Sequence, residues 1–207
     1  MIMRHRTSIL GGLVLLVTVA LGACAPEVPP NPPADPVIDQ QSTVSPLNAY
    51  LFTGTGTNSL GGGSNLVTGQ VVTAGITGTM TKVSLSFQQD TALPNPAATL
   101  DVRVEAAAAN GLPTGPVLAT ATYSGVGSVD RALIDLSLSA PVPVVAGQRV
   151  AILVSSATTV WQVNETAIVA GAGTYGGGDV FVVNSTSPSG TSIPYLDLYF
   201  RTWVVPA

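Results

Sequence analysis

Between residues 82 and 200 apolar and polar side chains alternate in run after run, and a period of two is the spacing of a strand with one dry and one wet face. Val83, Leu85 and Phe87 alternate with Lys82, Ser84, Ser86 and Gln88, and Leu100, Val102 and Val104 with Asp101, Arg103 and Glu105. Ala132, Ile134, Leu136 and Leu138 repeat the pattern, as do Val150, Ile152 and Val154, then Leu196, Leu198 and Phe200. Further strands are expected over residues 49–53, 66–73, 117–123, 160–163 and 180–183. Turn signals separate these runs: Asn110-Gly111, Gly125-Val126-Gly127, Ala146-Gly147-Gln148, Gly176-Gly177-Gly178 and Ser189-Gly190. No stripe of helical period competes with them. The expected fold is all-β: an antiparallel β-sandwich, jelly-roll-like, of about nine or ten strands.

Composition agrees and removes whole classes of chemistry. Charged residues make up 9% of the 207, against 46% hydrophobic, with 22 glycines and 16 prolines, a balance suited to short half-buried strands and tight turns. Cys24 is the one cysteine and His5 the one histidine. Residues beyond Cys24 therefore hold neither thiol nor imidazole, which leaves no usual zinc or copper ligands, no Cys nucleophile and no His base. No metal and no cofactor is expected; an oxygen-ligand calcium site near Asp179 has a single carboxylate beside glycines to recommend it, and turn chemistry accounts for that residue equally well. Arg4 and Arg6 precede Cys24, so five of the seven basic residues face all eleven acidic ones beyond it. Nucleic acid, which needs a basic patch, is excluded as a partner.

The first 23 residues read as a signal peptide. A basic start, Met3-Arg4-His5-Arg6, leads into an apolar run from Ile9 to Leu21 that is shorter than the ~20 residues of a bilayer-spanning helix. Leu21-Gly22-Ala23-Cys24 closes it and resembles the lipobox of bacterial lipoproteins. That resemblance implies cleavage before Cys24, a diacylglycerol on its sulfur and attachment to the membrane through lipid. With Ala25 rather than Asp next in line, it also implies export to the outer membrane or cell surface. An ordinary secreted protein is the competing reading. Residues 24–47 follow as a lipidated cysteine and a proline-rich stalk, in which neither helix nor central strand is expected; polyproline II at about 3.1 Å per residue would reach on the order of 60 Å. The sandwich is expected over residues 48–207.

Within it, five stretches occur in order: Ile76-Thr77-Gly78-Thr79-Met80-Thr81-Lys82-Val83-Ser84-Leu85, Gly111-Leu112-Pro113-Thr114-Gly115-Pro116-Val117-Leu118-Ala119, Ala140-Pro141-Val142-Pro143-Val144-Val145-Ala146-Gly147-Gln148-Arg149-Val150-Ala151-Ile152, Tyr175-Gly176-Gly177-Gly178 and Asp197-Leu198-Tyr199-Phe200-Arg201-Thr202. Together they resemble the extracellular choice-of-anchor domains of bacteria, jelly-roll modules similar to carbohydrate-binding modules. The resemblance implies surface display and a sandwich fold, with no agreed ligand and no catalytic motif.

Candidate ligand-binding residues come from the last strand and three rim positions. If Leu196, Leu198 and Phe200 point inward, Asp197, Tyr199, Arg201 and Trp203 share the outward face, where rings stack on sugar C–H groups and charged groups bond hydroxyls. Cross-strand packing with an exposed Asp197–Arg201 pair is the plainer reading of the same row. Trp161, Tyr175 and Tyr195 are candidate platforms at a sandwich rim, and a Trp filling the gap between sheets is the plainer reading of Trp161. No catalytic residue is assigned, because the scattered acids form no recognisable pair. The expected function is non-catalytic: binding or adhesion to a polysaccharide or an envelope protein. A structural subunit of an envelope layer is the alternative, which the mean hydropathy of +0.46 fits as well as it fits a core, and a hydrolase comes last.

Overall fold

The structure, a computed structural model, describes residues 34–42, 59–60, 66–89, 99–124, 133–156, 161–163, 165–167, 175–184, 187–194 and 196–207. These residues form strands and turns throughout. In chain order the strands are β1 (Val37–Gln41), β2 (Ser59–Leu60), β3 (Leu66–Thr73), β4 (Gly78–Leu85) and β5 (Phe87–Gln89). Next come β6 (Thr99–Ala107), β7 (Pro113–Ser124), β8 (Ile134–Val144), β9 (Arg149–Ser155) and β10 (Trp161–Val163). The last five are β11 (Glu165–Ala167), β12 (Val180–Asn184), β13 (Ser187–Ile193), β14 (Leu196–Leu198) and β15 (Phe200–Pro206).

Two antiparallel sheets build the sandwich, one in the order β1-β15-β4-β8 and the other β13-β12-β3-β9-β6-β7. Setting aside the β12–β13 hairpin and the short strands, eight principal strands remain, and their pairing follows one rule. The first pairs with the last (β1 with β15), the second with the seventh (β3 with β9), the third with the sixth (β4 with β8) and the fourth with the fifth (β6 with β7). That is one long two-stranded ribbon rolled up so that its successive pairs fall alternately in the two sheets, which is a jelly roll. The β12–β13 hairpin widens the second sheet by adding to the free edge of β3.

The alternation in sequence becomes the core. Met80, Val83, Leu85, Leu136, Val142, Phe200 and Val204 from the first sheet meet Val72, Leu100, Val102, Val104, Val150, Ile152, Val154 and Val180 from the second. Each fully buried side chain of this size contributes roughly 1.5–3 kcal/mol over leaving it in water. The second sheet also buries part of its outer face, where Val67, Val71, Ala151, Leu153 and Phe181 cluster with Ala107, Leu112 and Val183 against them. Gly69 makes room there. It lies directly opposite Phe181 in the ladder, and a Cβ on Gly69 would fall within 2.2 Å of the Phe181 ring.

The sandwich begins earlier than the proline content suggests. Val37–Gln41 lies in the stretch read as stalk, yet it pairs with β15 as the first strand of the roll, and residues Ala34–Ala207 form one compact unit. The physical reason is local: the proline run stops at Pro36, and an edge strand tolerates a proline at its start because nothing must accept the missing N–H. The strand expected over residues 49–53 lies outside the described residues, as do the leader and Cys24.

Candidate functional site

The outward face of the four-stranded sheet carries the candidate site. Reading across the strands, Gln41, Arg201, Ser84 and Asp135 stand in one row, and Ile38, Trp203, Lys82 and Ser137 in the next. The rows are cross-linked. Lys82 Nζ lies 2.7 Å from Asp135 Oδ2, Ser84 Oγ donates to Asp135 Oδ1 at 2.6 Å, and Trp203 Nε1 donates to Ser84 Oγ at 2.8 Å. The Lys82 ammonium also sits 3.8 Å from the centroid of the Trp203 ring, a cation–π contact. Arg201 Nε donates to Gln41 Oε1 at 3.2 Å. The hydrogen bond from Lys82, then that from Ser84, holds the Asp135 carboxyl below its usual pKa, with the Lys82 and Arg201 charges lowering it further.

The ladders break at the level of Trp203. β1 carries an extra residue, Asp39, between the partners of Trp203 and Thr202. β4 carries an extra Thr81 between the partners of Trp203 and Val204. β8 inserts residues 138–141 between the partners of Lys82 and Met80. Irregularities in three strands therefore coincide across the sheet. Bulges of this kind bend a strand and re-aim side chains: Asp39 is turned so that its carboxylate accepts the Gly75 N–H at 3.0 and 3.2 Å, and Lys82 faces outward while Met80 and Val83 both enter the core.

Asp197 is not on this face, which corrects the outward row expected from the sequence, and Tyr175, expected as a platform at the rim, is buried. Asp197 is 1% exposed, and its Oδ2 accepts the Tyr175 N–H at 3.0 Å while Oδ1 accepts Gln70 Nε2 at 3.4 Å. Gln70, itself fully buried, also accepts the Leu198 N–H at 2.9 Å and donates to the Gly178 carbonyl at 3.3 Å. Asp197 and Arg201 belong to different ladders: β14 ends at Leu198 and pairs with β11, whereas Arg201 lies in β15, which pairs with β1 and β4. Tyr175 is buried, its ring edge-on to Phe200 with centroids 5.2 Å apart. Its hydroxyl accepts the Thr73 N–H at 2.7 Å and donates to the Thr73 carbonyl at 3.3 Å. Burial pushes its pKa up to about 12. Gly177 permits this: a Cβ there would strike the Tyr175 hydroxyl and ring.

Of the remaining candidates, Tyr199 is half-buried at the bend between β14 and β15. Trp161 opens β10, its backbone opposite Leu60 and Gln89, and its side chain lies outside the described residues, as does Tyr195. Asp179 accepts Ser192 Oγ at 3.0 Å through its carboxylate and the Val71 N–H at 3.0 Å through its carbonyl, contacts that belong to the fold. Among the described residues no three His, Cys, Asp or Glu side chains gather as a metal site would need. The structure thus unites Arg201 and Trp203 and adds Lys82, Asp135, Ser84, Gln41 and Ile38. Lys82 and Ser84 were visible as outward positions of an alternating strand, although Ser84, expected to be wet, is fully buried between Trp203 and Asp135; Gln41 and Ile38 were hidden in the stretch read as stalk. No protein-family model matches the chain, and no curated protein matches it.

Proposed function

We propose that this chain is an exported lipoprotein, held to the cell envelope by lipid on Cys24, that presents a non-catalytic jelly roll for binding a surface polysaccharide. The observation that carries the binding half is the outward row of the four-stranded sheet, with Trp203 and two cations standing where coincident bulges bend the strands. An aromatic ring set among hydrogen-bonding and charged groups is the chemistry that holds a sugar ring on one side and its hydroxyls on the other. The Leu21-Gly22-Ala23-Cys24 sequence behind an apolar leader supports the anchoring half. With β1 starting at Val37, residues 25–36 are left as spacer, and at about 3.1 Å per residue an extended proline-rich segment would span on the order of 40 Å.

A pulldown on purified cell-wall polysaccharides tests the reading. The protein should be retained, and Trp203→Ala should lose at least about tenfold in affinity, the scale of a removed stacking and hydrogen-bonding residue. Retention unchanged in Trp203→Ala, with the variant shown to be folded, would remove this face from the function.

A further inference from the structure

We infer that the polysaccharide bound at this face is an acidic one, bearing carboxylates along its chain, with Arg201 and Lys82 as its two cationic contacts; this rests on the reading of the face as a glycan site. The distribution of charge points there first. Beyond Cys24 the chain has five basic residues against eleven acidic ones, yet among the described residues this face places Lys82 and Arg201 around one carboxylate, Asp135. Cations gathered against the sign of the whole chain favour an anionic partner locally.

The state of each cation points the same way. The Arg201 guanidinium bonds, among the described residues, to the neutral amide oxygen of Gln41 through Nε. Its two terminal nitrogens keep the forked geometry that meets a carboxylate with two parallel hydrogen bonds. Lys82 sits over the Trp203 ring at 3.8 Å and on Asp135 at 2.7 Å. A neutral sugar approaching that side of the ring must displace an ammonium and offers no charge in return. A uronate carboxylate brings charge of its own: it pairs with the Arg201 fork and shares the Lys82 ammonium, which keeps Asp135 as its first counter-ion, while the pyranose lies against the ring. Trp203 and Lys82 are neighbours across β15 and β4, and Ile38 and Ser137 continue that row onto the flanking strands, so the contacts run across the sheet as an extended chain would.

The test is a binding titration on the full-length protein, solubilised in detergent, with polygalacturonate, neutral dextran and poly-L-glutamate as probes. Polygalacturonate should bind, weaken at least about tenfold as salt is raised from about 50 to about 500 mM, and lose about tenfold in Arg201→Gln. Lys82→Gln should weaken it as well, and Lys82→Arg should restore it. Equal binding of dextran and polygalacturonate, lost in Trp203→Ala but unchanged in Arg201→Gln, would overturn the acidic assignment while leaving the glycan reading standing. Poly-L-glutamate binding as tightly as polygalacturonate would show that charge alone is recognised and overturn the sugar. No binding of any probe, with the urea midpoints of the variants matching the parent, would sink both readings.

Discussion

The hydroxyl of Tyr175 stands in for a strand neighbour, satisfying both the N–H and the carbonyl of Thr73 on the edge of β3 that β12 leaves after Gln70. Removing it leaves the Thr73 N–H without its acceptor, so Tyr175→Phe should cost about 1–2 kcal/mol at neutral pH in urea unfolding. The raised pKa gives a second signature. The folded value, about 12, lies above the ordinary 10, so the neutral phenol stabilises the fold fully below pH 10, and that contribution is lost as pH climbs from about 10 to about 12. The parent should lose stability over that window more steeply than Tyr175→Phe, and parallel profiles would refute the assignment. Gly69 makes the complementary point about space. Because the Phe181 ring occupies the position of its Cβ, Gly69→Ala should destabilise by about 1–3 kcal/mol through overpacking, read as a lower urea midpoint with an unchanged slope.

At the scale of elements, β1 is the strand whose loss the fold should feel most selectively. It contributes no apolar side chain to the main cluster, and Val37 and Ile38 stay 41% and 38% exposed. Its hold on β15 is the backbone ladder, the Gln40 N–H donating to Thr202 Oγ1 at 3.1 Å, Gln41 Oε1 accepting Arg201 Nε at 3.2 Å, and the adjoining Ser42, whose Oγ accepts the Phe200 N–H at 3.2 Å. A chain starting at residue 43 should therefore keep most of its core and its far-ultraviolet strand signal. It should also associate with itself through the bared edge of β15, seen as concentration-dependent mass in light scattering. A monomer as stable as the parent would show that β1 is dispensable. The same weakness explains why this strand was illegible in the sequence. Strands such as β6 announce themselves because Leu100, Val102 and Val104 enter the core while Asp101 and Arg103 stay wetter. β1, by contrast, pairs without a dry face, and β13, Ser187–Ile193, follows a polar sequence whose partner β12 supplies the ladder. Asp197 was misread for another reason: its burial depends on Gln70, 127 residues away, a contact that no local period encodes.

For the whole molecule, the rolled ribbon fixes where a tether must enter. The first strand of the roll pairs with the last, so a chain arriving from Cys24 joins the same sheet that carries Trp203 and Arg201, and its strand supplies Gln41 to the site. On the proposed reading, the strand that follows the tether is thus also part of the candidate binding face. Lipid on Cys24 would hold the chain on a membrane through two or more acyl chains at about 0.8 kcal/mol per buried methylene, while residues Ala34–Ala207 form a compact unit of their own. Cys24→Ala should therefore abolish acyl labelling and remove the protein from its place in the envelope. Protease cleavage within residues 25–33 should then release a domain whose melting temperature equals that of the anchored protein. A released domain that melts several degrees lower would mean that the spacer belongs to the fold. Persistent acyl labelling of Cys24→Ala would mean that the membrane is held by some other residue.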